Sequence, residues 1–449
     1  MASSRAVASK DFSAGSRLEE ARKHTDELFE LLPPNSFYDR PIPERHRLIF
    51  YLGHLEAFDW NLLGGKLGLR SENPAFDKLF AFGIDPVDGG LPADVPGDWP
   101  TIAQVENYNR SVRQRLDGAL SDRSALRGAD PQFGDTLLHV AIEHRLMHAE
   151  TLAYLLHSLA FDRKVPHPRP SPDPAPAPQQ RQVTIPEGIA TLGQTHGVSG
   201  SFGWDNEFEV EHHSVPSFSI DVYPVTNGEY LKFVQAGGYV NSKYWRAEDW
   251  EWRSRQRMEH PHFWSRHSSA PATDPETRWA YRGMFGAIPL PLSWPVYVSY
   301  AEAAAFARWA GKHLPSEAQW HRAAYGTPDG DERAYPWGEA LPSAALGNFH
   351  HERWEPTAVD AHPRGASAFG VFDFVGNGWE WTSSAFGALR GFEPFPFYKG
   401  YSADFFDGKH FVLKGGSPRT DACMLRRSFR NWFQPHYPYI YTTFRCVEE

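Results

Sequence analysis

Apolar residues recur at helical spacing through the first 160 positions of this chain and lose that period afterwards. A first helix is expected over Leu18–Leu32, with Leu28, Leu31 and Leu32 on one stripe and Pro33-Pro34 ending it. Pro43 and Glu44 open a second, to about Leu67, carrying Leu48, Ile49, Tyr51, Leu52, Leu55, Phe58, Leu62 and Leu63. Phe76 to Pro100, rich in Gly, Pro and Asp, reads as a long loop. Thr101 is a good N-cap for a third helix with Val105, Tyr108, Val112, Leu116 and Leu120. The fourth, from about Gln132 to Leu159, is apolar nearly all round, which predicts a helix buried among others. Four such helices predict an all-α four-helix bundle.

Pro166–Gln180 (PHPRPSPDPAPAPQQ) is a polyproline-type linker and divides the chain into 1–165, 166–180 and 181–449. Beyond it segments shorten and Gly, Trp and Pro interrupt often. Helical periodicity returns only near Ala301–Gly311 and Glu317–Gly326, so the second half is expected to be α+β.

Composition sharpens this picture in a few places. At 449 residues two domains are the default. The net charge is −10 and no Lys/Arg block occurs, which argues against nucleic acid or an anionic membrane as the main partner. No apolar run approaches the ~20 residues of a membrane span. Met1–Ser16 has no apolar signal core, and Cys423 and Cys446 are the only cysteines, so a reducing cytoplasm is expected.

The candidate chemistry lies in the fourth helix. His144 and His148 are four apart, a rotation of ~400°, so both project from one face about a turn apart and one divalent metal can bridge them. His139 and Glu150 leave that face. His54 sits inside the apolar pattern of the second helix and offers a third imidazole. By themselves the residues fit satisfied core histidines as well as a metal site, and three histidines with a water suit a zinc hydrolase as well as iron.

Further phrases carry a resemblance. They are Phe218–Asn227 (FSIDVYPVTN), Pro295–Ser299 (PVYVS), His313–Trp320 (HLPSEAQW), Gly376–Thr382 (GNGWEWT), Gly415-Gly416-Ser417 and Phe444-Arg445-Cys446. Together they resemble the formylglycine-generating-enzyme fold, a C-type-lectin-like α+β domain. The first half, with His54 and the His-x3-His-x-Glu phrase at 144–150, resembles the DinB-like four-helix domain. The pairing is similar to the ergothioneine sulfoxide synthases and selenoneine synthases. The resemblance implies one non-heme Fe(II) on His54, His144 and His148, with O2 as co-substrate and the second domain walling the site. It also implies hercynine and a thiol or selenosugar as small-molecule substrates. A quaternary ammonium cannot donate a hydrogen bond and is recognised by aromatic faces, at ~0.5–2 kcal/mol each. Trp379, Phe405, Phe406 and Trp432 are the expected faces, and Arg426, Arg427 and Arg430 are candidates for binding a carboxylate.

Two departures bear on the donor. Where many ergothioneine enzymes have a Tyr-Pro-Gly-Phe phrase, this chain reads Leu389-Arg390-Gly391-Phe392. Where others have a tyrosine pair after the second helix, it reads Leu79-Phe80-Ala81-Phe82-Gly83. Either Tyr398 or Tyr401 is then the catalytic proton donor, or the donor chemistry differs, which narrowly favours a selenosugar. A copper-dependent formylglycine-generating oxidase needs two cysteines five apart, and Cys423 is followed at that spacing by Ser428. A non-enzymatic lectin-like binding protein is the remaining alternative.

Overall fold

The computed structural model describes residues 14–81, 93–121, 125–130, 132–169, 176–197, 202–266 and 278–448. It divides into two units, Met1–Ala153 with Asp162–Val165, and Tyr154–Phe161 with Pro166–Glu449. Residues 170–175 of the expected linker, and Phe82 and Gly83, lie outside the described residues.

The first unit is helical: α1 (Ala14–Phe29), α2 (Leu48–Asp59), α3 (Pro74–Leu79), α4 (Ile102–Leu120), α5 (Ala125–Ala129) and most of α6 (Gly134–Ser158). The long helices α1, α2, α4 and α6 are the four expected. Their ends differ from the sequence reading for local reasons. The first helix stops as an α-helix at Phe29 because the bonds tighten to i−3, Leu31 N–H to Leu28 and Leu32 N–H to Phe29. The second starts at Leu48, not Pro43, because Arg45 N–H closes a turn on the Ile42 carbonyl and Arg47 is extended. It ends in a π-helical turn over Trp60–Gly64. The expected loop begins inside a helix, α3, whose N-cap Asn73 accepts from the Phe76 amide at 3.1 Å. Thr101 caps α4 as expected and forms a capping box with Gln104. The all-round apolar α6 buries Leu137, Val140, Ile142, Leu146, Leu152 and Leu156.

The second unit is α+β. Strands β1 (Gln182–Ile185), β2 (Gly188–Leu192), β3 (Glu211–Val215) and β4 (Phe218–Asp221) precede α7 (Asn227–Gln235) and α8 (Ala247–Arg255). Then come β5 (Trp264–Arg266), β6 (Trp279–Arg282), β7 (Ala287–Pro289), α9 (Tyr300–Trp309) and α10 (Glu317–Tyr325). The chain closes with β8 (Trp379–Ala385), β9 (Phe411–Lys414), β10 (Asn431–Phe433), β11 (Thr442–Thr443) and β12 (Val447–Glu448). The strands form four small sheets, in the orders β1-β4-β12, β10-β9-β8-β11, β2-β3 and β5-β6-β7. Helices α7 and α8 escaped the sequence reading, although α10, of the same length, did not.

The recognised phrases of this half bind the fold to itself. Arg445 and Glu380 form a fully buried pair, and Trp320 Nε1 donates to the same carboxylate at 3.0 Å. The Asn377 side chain donates to the Thr357 carbonyl and to Asp373, and accepts from Asn348. Gly415 has φ +98°, and a Cβ there would lie 2.4 Å from the Phe374 carbonyl oxygen, so only glycine fits. Cys446 is fully buried packing.

Candidate metal centre

His54 on α2 and His144 and His148 on α6 are all buried. The absence of a side chain at Gly53 lets the Phe80 ring close on α2, since a Cβ there would lie 2.6 Å from three carbons of that ring. The Phe80 carbonyl then accepts from His54 Nδ1 at 2.6 Å. A carbonyl cannot donate, so Nδ1 carries the proton and Nε2 keeps its lone pair. That Nε2 is buried without a hydrogen-bond partner among the described residues.

The Nε2 atoms of His144 and His148 lie 3.2 Å apart, and ligating nitrogens of all three histidines lie within 4.8 Å of one another. Two imidazoles each ~2.1 Å from a shared metal would show nitrogens about that far apart. Ring planes are set by stacking: Phe58 on His144 at 3.4 Å and 9°, and Phe50 on His54 at 4.8 Å and 20°. Burial pushes His54 down to about 4, with His46 and Arg145 adding to it against the Phe80 bond. Burial and neighbouring positive groups hold His144 and His148 well below the ordinary histidine range. The rings are neutral near pH 7, the form that ligates metals. Three neutral imidazoles suit iron or zinc with open positions.

One network beside the histidines was missed in the sequence. Arg145, adjacent to His144 and 0% exposed, reaches Glu56 at 3.0 Å and Asp59 at 2.7 Å on α2. It also donates to the Leu55 carbonyl at 3.0 Å. Arg113 of α4 joins Glu56 to Asp26 of α1, so four helices share one set of ion pairs. Burial would raise Glu56, but Arg145 and Arg113 outweigh it and hold that carboxyl below its usual range. An arginine inside the all-apolar α6 pattern was the available signal.

In the second unit, Tyr401 stacks on buried Trp204 at 3.9 Å and lies 5.5 Å from Tyr398 and 5.4 Å from Trp432, ring to ring. Phe405 lies 5.5 Å from Trp432. Phe386 joins Phe406, at 5.0 Å, to Trp432, at 4.2 Å. Trp379 is buried in β8, its ring 5.8 Å from Phe429. All three arginines already have carboxylate partners: Arg426 with Glu207 at 2.8 Å, Arg427 with Glu332 at 3.1 Å, and Arg430 with Glu317 at 2.9 and 3.0 Å. Next to Trp204, burial pushes the Asp205 carboxyl up to about 6 although Ser402 donates to it at 2.6 Å. No sequence signal marked that residue.

The DinB superfamily matches residues 17–152, and the family described as sulfatase-modifying factor enzyme 1-like domain matches residues 168–449. The hercynine oxygenase of Mycolicibacterium smegmatis is 35% identical over 76% of this chain and 76% of its own length. That of Mycobacterium tuberculosis is 38% identical over 54% of this chain and 55% of its own length. Ergothioneine biosynthesis protein 1 of Neurospora crassa is 30% identical over 94% of this chain and 56% of its own length. The chain thus spans little more than half the length of two of these three relatives.

Proposed function

The chain belongs to the hercynine oxygenase family, as a DinB-superfamily unit followed by a sulfatase-modifying-factor unit, and from that premise we propose that it joins a chalcogen to the imidazole of hercynine oxidatively, with O2 as oxidant. The observation that carries this reading is the convergence of three buried, neutral imidazoles, from His54, His144 and His148. These three residues would hold Fe(II), which would supply one-electron redox chemistry between O2 and an ionised donor.

The chain's own residues do the rest. The Phe80 carbonyl fixes the His54 tautomer, and Phe58 and Phe50 fix ring planes. Half-exposed Phe405, Phe406 and Trp432, with Tyr401, offer the aromatic faces for a trimethylammonium. Among the arginines, Arg427 is the one suited to a substrate carboxylate. Its side chain is 35% exposed against 18% for Arg426 and 4% for Arg430, whose fork Glu317 fills.

On the donor, the reading favours a selenosugar narrowly over cysteine or γ-glutamylcysteine. A selenol ionises at neutral pH without help, and Leu389, buried, stands where a sulfur enzyme would carry a tyrosine. The test is to incubate Fe(II)-loaded full-length protein with hercynine, O2 and each donor in turn, and to read product mass. A selenium adduct formed fastest is the expected result. Turnover of cysteine alone would reject the selenosugar, and no adduct with any donor would reject the activity. Metal analysis of protein purified without added metal separates iron from zinc.

A further inference from the structure

The second unit contains a cavity of about 470 Å³, bounded by β3, α9 and the start of α10, that the proposed chemistry does not use. Its charged lining is entirely basic, Arg246, Arg308 and Lys312, and His313 lines it too. Lys312 is already committed, 2.7 Å from Asp221 and 3.5 Å from Glu448. The arginines are not. Arg308 donates to the Tyr244 carbonyl at 2.8 Å, and neither Arg308 nor Arg246 forms an ion pair with a carboxylate among the described residues. Arg246 lies beside the hydroxyl of Tyr300, which also lines the cavity. The acids that act on Arg308 are Asp249 and Glu248, and Asp249 is bonded to His436 at 2.8 Å. Arg308 is half-buried, and Arg246 is near enough to repel it.

Two guanidiniums facing one concavity, neither in an ion-pair contact with a carboxylate among the described residues, repel each other, and a bound oxyanion reverses that cost. Ser383 lines the same wall, and the N-terminal end of α10 turns its positive dipole end to it, although the Ser316, Glu317 and Gln319 amides are already bonded to Gln319, Ser384 and Ser316. A carboxylate offers two oxygens to this set. A phosphate offers a double negative charge and more acceptors, and matches two separate forks better. The volume is that of a site for a small organic molecule.

We propose that this cavity binds the phosphate group of a small molecule, gripped by Arg246 and Arg308. The site is formed by residues of the second unit alone. The test is calorimetric titration of the full-length, metal-loaded protein with inorganic phosphate, AMP and acetate, repeated on Arg246→Ala, Arg308→Ala and the double variant. Phosphate and AMP should bind in preference to acetate. Each single substitution should weaken both about tenfold or more, the scale of a lost charge-assisted hydrogen bond, and the double should abolish binding. Both side chains are at least partly exposed, so melting temperature and metal content should be unchanged and report folding independently. Binding by the double variant equal to that of the parent, or no uptake of phosphate or AMP by the parent, would overturn the proposal. Acetate bound as tightly as phosphate would overturn the assignment to phosphate.

Discussion

The backbone carbonyl of Phe80 accepts the Nδ1 proton of His54 at 2.6 Å, and so decides which nitrogen of that ring is left to ligate. The contact depends on Gly53, where a Cβ would collide with the Phe80 ring. Gly53→Ala should therefore move the Phe80 carbonyl and loosen the site without touching a ligand. Metal affinity is expected to fall ~10–100-fold, the usual scale for an outer-shell partner. Equilibrium dialysis with Fe(II) or Co(II) measures it, and unchanged affinity would show that the carbonyl has no hold on the metal.

Arg145→Met should leave Asp59 buried without its arginine and Glu56 with Arg113 alone, a loss of ~3–5 kcal/mol. Replacing the group together, as Arg145→Met with Glu56→Gln and Asp59→Leu, should recover most of it, because the buried charge leaves with the partner. Thermal melting followed by circular dichroism distinguishes the two. A single variant as stable as the parent would mean that the pairs are idle.

Metal uptake should depend little on pH. All three imidazoles ionise below the ordinary value, His54 at about 4, so protons compete for the ligands only in that acid range. Three unperturbed histidines, at ~6.5 each, would lose ~10³-fold in affinity between pH 7.5 and 5.5. The expected change across that interval is ~threefold or less, read by competition with a chelator of known pH dependence. A steep loss would contradict the burial argument.

The bundle was legible because α6 is apolar nearly all round and Thr101 is a good N-cap for α4, signals that need no tertiary context. His144 and His148 were legible as a pair for the same reason, since their spacing is set within one helix. The grip on His54 was not, because it rests on a carbonyl 26 residues away and on a missing Cβ. Nor was it legible that Arg426 and Arg430 are tied to Glu207 and Glu317, residues more than a hundred positions away.

Tyr398→Phe and Tyr401→Phe should each change selenosugar turnover by no more than ~threefold. A selenolate needs no general acid–base help to ionise, and Tyr401 is held by ring stacking on Trp204 rather than by its hydroxyl alone. A fall of ~100-fold or more in either variant, the scale of a lost general acid, would assign the proton to that phenol. Initial rates at saturating hercynine decide between them.

The central claim is that His54, His144 and His148 form one redox centre acting on hercynine. It is tested most directly by oxygen uptake of the Fe(II)-reconstituted protein, with a chalcogen donor present, with and without hercynine, alongside each single His→Ala variant. Oxygen consumption that requires hercynine, matches its disappearance and is lost in all three variants is the predicted result. Hercynine-dependent uptake that survives removal of any one of these histidines would contradict it.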